Sequence, residues 1–536
     1  MAIVGRMEYD YVIVGGGTAG CVVAARLSQQ LPDASVLLIE AGPDGRGVAQ
    51  IVDPPQWTKL PGTALDWRYS YAASELVAGR AIPVPRGRVL GGCSATSAMQ
   101  WYRGHPADYD AWEAAGAAGW NYAALLPYFR RSEDWEGGAS AHRGAGGPLR
   151  VTRPADPHPV ACALLDASSE LGLGVVAEPN SGDNRGATLA NLNIADGRRF
   201  SVVDGYLPSW APPPAPGQVP VGAGTPPPAP PANLTVLTGS PAVRLGFSGS
   251  RCVSVSHTAA GAVRETRARV AVVLALGAFG TPELLIRSGV GDPVALRSLG
   301  VPVVSPLAGV GQNLQDHPLV MGMNFRARRR LGLVRDNGGG AILNWRSSGA
   351  PRPDLHAAVV QGRHAYPDAA ARYRLTGNAD VFAISPALMG SRGVGALRVR
   401  SVAASGPSAV EIESGFLTQQ ADVDALVEAM DMITELAATR AYSALIAEPV
   451  LPAGRLSRAD KARYVRENCS TCCHPCGTAA MGTGPDAVVS PSLAVHGVSG
   501  LFVADASVIP VIPTGDIQAP AVAIAECAAD LLTAAA

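Results

Sequence analysis

The chain has 536 residues, more than one hydrophobic core usually serves, so its length predicts two cooperating domains and excludes a mini-protein. It carries 43 Lys and Arg residues against 44 Asp and Glu, and the net charge of -1 provides no overall field to recruit nucleic acid or an anionic membrane. A hydrophobic content of 47% with 16% charged residues excludes general disorder.

The N-terminal residues set the expectation for localisation. The first ten contain three charged side chains and lack the apolar core of a signal peptide, which predicts a cytoplasmic protein. The longest apolar run, residues 270–286, is interrupted by Pro282 and Glu283 and is too short and too broken to span a bilayer. No membrane segment is predicted.

A glycine-rich turn follows the first predicted strand. The apolar run 11–14 leads directly into Gly15-Gly16-Gly17-Thr18-Ala19-Gly20, and a helix-prone segment continues through Leu27. A second apolar run, 35–39, ends in Glu40, about 20 residues beyond the turn. This strand, turn, helix and strand with a terminal acid is typical of a dinucleotide-binding βαβ unit.

Each part of this pattern has a physical task. Gly15 allows the tight turn, Gly17 lets the backbone approach a pyrophosphate, and Gly20 lets the helix pack against the strand. The N–H groups and positive dipole of the helix N-terminus favour the diphosphate, and Glu40 would accept hydrogen bonds from a ribose diol. The motif alone does not distinguish FAD from NAD.

A proline-rich segment occupies residues 207–232. Its composition excludes regular helix or sheet and predicts an exposed loop. Because a strand resumes at residues 233–237, an insertion within a domain is favoured over a boundary between domains. A proline-dependent docking site is the less favoured alternative.

Further strand and helix units follow. The run 270–276 predicts a strand buried on both faces, with a turn at Gly277 and a helix over 283–288. Near the end of the chain, 501–504 predicts a last strand and 521–536 a last helix.

Five segments, in order, resemble the glucose-methanol-choline (GMC) family of FAD-dependent oxidoreductases. They are residues 11–42, Gly87-Arg88-Val89-Leu90-Gly91-Gly92-Cys93-Ser94, residues 277–291, His474-Pro475-Cys476-Gly477-Thr478, and residues 503–507 with the helix after them. The resemblance implies an α/β fold in which a discontinuous Rossmann-type FAD-binding domain (1–155, 196–318 and 457–536) carries an α+β substrate domain (156–195 and 319–456) built on an antiparallel sheet.

The resemblance also implies which residues bind FAD: Gly15, Gly17, Thr18, Ala19, Gly20, Glu40, Ala41, Arg88, Gly91, Gly92, Ser94, Val243, Gly277, Asp505, Ala506 and Gln518. The backbone around Val243 would contact the adenine. Asp505 would lie near the ribityl and pyrophosphate end or, alternatively, cap a helix or turn. Relatives with a covalent flavin attach it to a His in the Gly91-Gly92 segment, and Thr96 stands there in this chain, so non-covalent FAD is predicted.

The chemistry implied is that of an alcohol oxidase or dehydrogenase acting on a small molecule. A base takes the hydroxyl proton while hydride passes from carbon to flavin N5, and O2 or another acceptor receives the electrons. His474 matches the family's base, and imidazole suits that task. A redox-silent lyase of the hydroxynitrile lyase type, with His474 as acid and base, is the alternative. An inactive FAD-binding scaffold is disfavoured by the presence of His474.

The second catalytic position departs from the family pattern. Where the family has Pro-Thr-Gly-Asn-x-Asn-Ala-Pro, this chain reads Pro513-Thr514-Gly515-Asp516-Ile517-Gln518-Ala519-Pro520. Either Asp516 or Gln518 could partner His474. Asp516 could stabilise protonated His474, act as the base, pair with a cationic substrate or only cap the last helix. A carboxylate here makes a primary hydroxyl of an amino sugar, the substrate of the aminoglycoside (paromamine) 6'-oxidases of this family, a candidate.

Nine cysteines and no export signal predict free thiols. Cys469, Cys472, Cys473 and Cys476 cluster around His474. Their C-x-x-C spacings suggest zinc, but structural zinc sites draw two pairs from separated knuckles, so no metal is predicted. Small buried residues that shape the flavin pocket are favoured over a redox-active pair.

Overall fold

A computed structural model describes residues 8–208, 231–375, 380–402 and 408–534. The proline-rich segment predicted as an exposed loop lies almost entirely outside the described residues. Within the described part of the chain, no helix combines the length and apolar character needed to cross a bilayer.

Within the described residues, the first sheet has seven strands. Its hydrogen-bonded order is Leu234–Leu237, Val36–Ile39, Glu8–Val14, Ala262–Leu274, Arg251–Ala259 and Ala242–Ser248, with Leu501–Val503 also paired to Ala262–Leu274. The pairs in the half that contains Glu8–Val14 are parallel, whereas the last three strands along the path pair antiparallel. The parallel half brings the carboxyl ends of its strands to one edge, where α/β proteins bind ligands.

Two helices of this part of the molecule are joined by a buried carboxylate. Helix Thr18–Gln30, which follows the glycine turn, packs against the last helix, Gln518–Ala534. Glu526 has no exposed surface and forms ion pairs with Arg26 at 2.8 Å and Arg131 at 2.7 Å. Because a buried charge is costly unless it is paired, these contacts hold the last helix in place.

The second sheet is antiparallel and has eight strands in the part of the chain that the structure describes. Its order is Ile446–Leu451, Asn324–Ala327, Val381–Leu388, Leu355–Val360, Ala341–Trp345 and Gly186–Leu189; Pro318–Val320 pairs with both Val381–Leu388 and Cys469–Thr471. Helices Pro159–Glu170 and Gln420–Ala438 pack against it. Strand Cys469–Thr471 ends three residues before His474, so this sheet positions that segment. The predicted domain boundaries stay a prediction.

The other elements surround these two sheets. The remaining helices are Ala49–Val52, Cys93–Thr96, Pro106–Ala114, Tyr122–Ser132, Val202–Tyr206, Gly277–Arg287, Pro293–Ser298, Pro367–Arg372, Arg440–Ser443 and Arg458–Asn468. Short strand pairs are Tyr69–Ser74 with Arg80–Val84, Glu133–Trp135 with Leu149–Val151, Ile194–Ala195 with Arg198–Arg199, Val290–Gly291 with Ser305–Pro306, and Ala396–Ser401 with Ala409–Glu413.

The helices after the predicted strands begin earlier than expected. Helix Gly277–Arg287 contains Pro282 in its interior, where proline removes a hydrogen bond to the carbonyl four residues before it. That carbonyl, of Ala278, instead accepts a hydrogen bond from the Thr478 hydroxyl at 2.7 Å. The last helix begins at Gln518, with Pro520 in its first turn, where no intrahelical N–H bond is needed.

Candidate active site

One cavity of 1120 Å³ joins the glycine turn to the His474 segment. Val14 and Ile39 in its wall end strands of the first sheet, and Leu319 and Val360 belong to the second. Ligand cavities usually measure about 300–1,000 Å³, so this one has room for a dinucleotide together with a small substrate. The candidate site therefore lies between the two sheets.

The glycine turn has the geometry that a bound diphosphate requires. Gly15 has a φ of +101°, and a Cβ there would lie 2.5 Å from the Ala275 oxygen. A Cβ at Gly20 would lie 1.8 Å from the Gly15 oxygen, so the helix packs against the turn only without a side chain. Gly17 lines the cavity, and a Cβ there would meet no protein atom closer than 3.9 Å. The space beside Gly17 thus fits a cofactor phosphate.

Replacing Gly17 with valine is expected to weaken FAD binding more than about tenfold while the apoprotein keeps its thermal stability. The φ of -79° at Gly17 suits any L residue, so the added side chain enters the cavity without backbone strain. Fluorescence titration of apoprotein with FAD, together with thermal melts, measures both quantities. Gly20→Ala is the contrasting variant and should lower the melting temperature itself. Wild-type FAD affinity in Gly17→Val would contradict the assignment.

Glu40 has a structural role as well as a place in the cavity wall. Its Oε2 accepts a hydrogen bond from the Gly16 N–H at 2.8 Å, and its Oε1 accepts one from the Gly42 N–H at 2.7 Å. Burial raises the pKa of the Glu40 carboxyl to about 7. Each carboxylate oxygen can accept a second hydrogen bond, so the predicted ribose contact fits but stays a prediction.

Most of the residues predicted to bind FAD line this one cavity. They are Gly15, Gly17, Thr18, Ala19, Glu40, Ala41, Gly92, Gly277, Asp505, Ala506 and Gln518. The other predicted positions are not among the residues that line it: Gly20, Arg88, Gly91, Ser94 and Val243. The cavity therefore gathers segments that the sequence spreads over some five hundred residues.

Three of these residues contact the cavity wall or the glycine turn, directly or through one another. The Arg88 guanidinium lies 5.4 Å from the ring centre of Trp67, which lines the cavity. The Gly91 N–H donates to the Gly16 oxygen at 2.7 Å, and the Ser94 hydroxyl donates to the Gly91 oxygen at 2.7 Å. Val243 is buried in its strand.

Asp505 connects two cavity segments. Its Oδ2 accepts from the Gly277 N–H at 2.8 Å and the Thr281 hydroxyl at 2.7 Å, and its Oδ1 accepts from the Ser507 N–H at 2.8 Å. The carboxylate therefore caps a turn, which was one of the two roles predicted for it, and it also lines the cavity.

The imidazole of His474 reaches the cavity between two partners. Its Nε2 lies 3.3 Å from Asp516 Oδ1, and its Nδ1 lies 2.9 Å from Nδ1 of His317. Burial, followed by the neighbouring His317 and Arg86, holds the pKa of His474 well below its usual value. At neutral pH the ring is therefore uncharged, as a general base must be.

Asp516, rather than Gln518, is the residue placed against His474. Asp516 is 7% exposed, and burial raises the pKa of its carboxyl to about 7. The Gln518 amide is held elsewhere, since it donates to Asn193 at 2.8 Å and accepts from Ser97 at 3.3 Å. A carboxyl that titrates near neutrality beside an uncharged imidazole can share or exchange a proton with it.

Sequence reasoning missed the other histidines around this pair. His356 and His364 line the cavity and are bonded to Asn344 at 2.8 Å and Ser385 at 2.6 Å. Burial lowers the pKa of each to about 4, and that of His317 to about 3. These rings are thus neutral polar groups. Only knowledge of how distant segments fold around the cavity could have identified them.

All nine cysteines are free. Cys472 and Cys473 line the cavity, whereas Cys469 and Cys476 are buried. Burial raises the pKa of the Cys473 thiol to about 11, so it is protonated at neutral pH. Among the described residues, no group of three or more His, Cys, Asp or Glu side chains could hold a metal ion. Of the four cysteines around His474, Cys472 and Cys473 thus form part of the cavity wall.

The glycine turn, the shared cavity and the imidazole together define a dinucleotide-dependent enzyme. Family models described as GMC oxidoreductase match residues 9–211, 226–319 and 391–525, and the chain belongs to the GMC oxidoreductase family. The predicted α/β fold, with a Rossmann-type FAD-binding domain and a sheet-based substrate domain, is confirmed. The chain is a GMC-type flavin oxidoreductase, and enzymes of this family oxidise alcohols with FAD.

Individual relatives match nearly the whole chain. Human mitochondrial choline dehydrogenase is 32% identical over 562 residues, covering 98% of this chain and 90% of that protein. The crystal structure of pyridoxine 4-oxidase from Mesorbium loti is 32% identical, with a TM-score of 0.88 and coverage of 97% and 98%. Formate oxidase from Aspergillus oryzae RIB40, in a structure concerned with FAD modification, is 26% identical, with a TM-score of 0.86 and coverage of 98% for each chain.

Proposed function

We propose that this protein oxidises a primary CH–OH group of a small-molecule alcohol to a carbonyl, with His474 as the base and O2 or another compound as the final electron acceptor. The observation that carries the proposal is the placing of His474 Nε2 and Asp516 in the cavity that the glycine turn also lines. FAD, when bound, supplies the hydride acceptor. The protein's own task is to orient the alcohol and to receive its hydroxyl proton.

The hydrogen bond between the two rings suits His474 to this task. When Nδ1 of His474 donates to Nδ1 of His317, Nε2 keeps its lone pair and can accept a proton from a hydroxyl in the cavity. The protonated ring is then next to Asp516, whose ionised form stabilises an imidazolium.

The FAD is proposed to be bound without a covalent bond. Thr96 lines the cavity at the position where relatives with covalent flavin have a His, and its hydroxyl cannot form that linkage. Acid denaturation of the holoenzyme should therefore release all of the flavin into the supernatant.

The substrate class is proposed from the polar groups of the cavity. Asp516 offers a carboxylate to an ammonium group, and His356, His364 and Ser385 offer neutral polar atoms. An alcohol with a primary amine and further hydroxyls, as in an amino sugar, can donate N–H hydrogen bonds to Asp516 and can also bond to these polar atoms. The quaternary ammonium group of choline has no N–H to donate to the carboxylate.

Anaerobic mixing of the holoenzyme with candidate alcohols is expected to bleach the oxidised-flavin absorbance band. Paromamine should react faster than choline, aryl and aliphatic alcohols or neutral sugars, because only its ammonium groups can both pair with Asp516 and donate N–H hydrogen bonds to it. Subsequent admission of oxygen distinguishes oxidase from dehydrogenase by the rate of reoxidation. Bleaching by neutral alcohols alone would contradict the amino-sugar substrate. If no alcohol bleaches the flavin but the enzyme cleaves a cyanohydrin, the protein is a hydroxynitrile lyase and the proposed oxidation is wrong.

A further inference from the structure

Asp316 is a buried carboxylate that the proposed reaction does not use. It directly precedes His317 and is 1% exposed. Its Oδ1 accepts hydrogen bonds from the backbone N–H groups of His317 at 2.7 Å and His474 at 2.8 Å. Its Oδ2 accepts from the hydroxyls of Tyr71 and Thr471, both at 2.5 Å. Four donors fill the acceptor positions of one carboxylate.

These four bonds bring distant parts of the chain together. Tyr71 belongs to the strand Tyr69–Ser74, whereas Thr471 ends the strand Cys469–Thr471 of the second sheet. His317 and His474 are 157 residues apart in the chain, yet the same oxygen holds both of their backbones. The relative position of the two imidazoles is thus set at Asp316.

The turn that carries His474 is strained. Cys473 has a φ of +65°, a left-handed conformation that a non-glycine residue rarely adopts. Its N–H donates at 2.6 Å to the Thr471 hydroxyl oxygen, and that hydroxyl donates to Asp316. Such a conformation persists only where its surroundings impose it, and Asp316 with Thr471 supplies part of that constraint.

We propose that Asp316 is a positioning residue of the active site. It holds the backbones of His317 and His474 so that their Nδ1 atoms meet and Nε2 of His474 faces Asp516 and the cavity. This inference rests on the proposed role of His474 as the base. In this proposal Asp316 does not contact the substrate but determines the position of the His474 imidazole.

The charged and titratable groups around His474 determine the pH dependence. Asp516 faces its Nε2, and Asp316 holds its backbone N–H. Burial, His317, Arg86 and His356 all lower the pKa of His474. Release of the segment would move the ring away from these groups, and its pKa would rise toward the ordinary value. Because only the neutral ring accepts a proton, the acid limb of kcat/KM would move to higher pH.

The test compares Asp316→Ala with Asp316→Asn in the FAD-loaded full-length enzyme. Asp316→Ala is expected to lower kcat about 10²-fold, the cost of a small misplacement of a catalytic group, with little change in KM. The acid limb of kcat/KM should move upward. Asp316→Asn should regain most of the loss, since its Oδ1 still accepts both backbone N–H groups. Flavin absorbance at equal protein concentration shows that both variants are loaded.

A second readout needs no turnover. The rate at which diethyl pyrocarbonate modifies His474 is followed against pH by peptide mass spectrometry, and Asp316→Ala should shift this profile in the same direction. If Asp316→Ala does not fold, Thr471→Val, which removes one donor to Asp316 and the acceptor for Cys473, should produce the same shift. A shifted modification profile with unchanged kcat supports the positioning by Asp316 but rejects His474 as the base.

Asp422 provides the matched control. It is also 1% exposed and accepts hydrogen bonds from the backbone N–H groups of Arg392 and Gly393 and from the Ser391 hydroxyl, but it does not line the cavity. Asp422→Ala should lower the melting temperature and leave kcat and the modification profile unchanged. The proposal is overturned if Asp316→Ala behaves like Asp422→Ala, or if its loss of activity follows flavin content alone.

Discussion

His474→Ala is expected to lower kcat by about 10²–10⁴-fold, the usual contribution of a positioned general base, while FAD remains bound. The neutral imidazole is the group whose Nε2 is presented to the cavity, next to Asp516. Without it the hydroxyl proton has no acceptor at the same place. The rate of anaerobic flavin bleaching by the best alcohol measures the chemical step directly and separates it from reoxidation.

A buried histidine away from the cavity serves as the control for this variant. His257 is 3% exposed and bonded to Thr266 at 3.0 Å, and it does not line the cavity. His257→Ala should therefore cost stability but not the rate of bleaching. Equal bleaching rates for His474→Ala and the wild-type enzyme would reject His474 as the base and leave Asp516 as the remaining candidate.

The pH dependence of the wild-type enzyme follows from the same environment. Because the pKa of His474 is held below its usual value, the neutral ring persists into mildly acidic solution. With a neutral alcohol as substrate, the acid limb of kcat/KM in the wild-type enzyme should then lie below pH 6.5, the ordinary pKa of imidazole. The position of this limb is the reference for the Asp316 variants.

The parts of the fold that local patterns determine were predicted well. The strands predicted at 11–14, 35–39 and 501–504 occur as Glu8–Val14, Val36–Ile39 and Leu501–Val503. Continuous apolar runs identify strands that are buried on both faces, and the glycine turn follows one of them. Glycine spacing and steric requirement are both local properties, which is why sequence alone located this half of the site.

Strand Ala262–Leu274 shows where the pattern was insufficient. Its second half pairs in parallel with Glu8–Val14 in the interior of the sheet and is therefore apolar. This apolar run is what allowed the second half to be predicted. Its first half is mostly exposed and pairs antiparallel with Arg251–Ala259. A strand that leaves the core keeps its backbone hydrogen bonds but loses its apolar signal.

The surroundings of His474 could not be predicted for a different reason. The motif around His474 identified the base, but Asp316 and His317 contact it across more than 150 residues of chain. Neither carries a local signal of that contact. The choice between Asp516 and Gln518 likewise depended on where the last helix begins, since a start at Gln518 leaves Asp516 free to meet His474.

Two buried carboxyls in this cavity show why burial alone does not assign a role. Burial raises the pKa values of both Glu40 and Asp516 to about 7. Glu40, however, is bonded to two backbone N–H groups of the glycine-turn region, whereas Asp516 faces an imidazole. Glu40 therefore fixes the backbone conformation of the glycine turn, and Asp516 faces the space where a substrate can bind. Only Asp516 can therefore make the rate depend on substrate charge.

Asp516→Asn is expected to lower kcat/KM for an amine-bearing alcohol by about 10–100-fold, which corresponds to about 1.4–2.8 kcal/mol of lost attraction for the ammonium group. In the wild-type enzyme, kcat/KM for this substrate should rise as pH increases through about 7, because the carboxyl is neutral below its pKa and ionised above it. The variant should lose that rise. Steady-state kinetics across pH 5.5–8.5 would measure both effects. At the lower end of this range a sugar amine is largely protonated.

A neutral alcohol of similar size, assayed with the same variant, separates the two roles open to Asp516. If the carboxylate binds the substrate's ammonium group, the neutral alcohol loses little and keeps the pH profile that His474 imposes. If Asp516 instead stabilises protonated His474, both substrates lose the same factor, because the imidazolium forms whichever alcohol reacts. Equal loss for the two substrates would thus assign Asp516 to the base and remove the structural reason for an amino-sugar substrate.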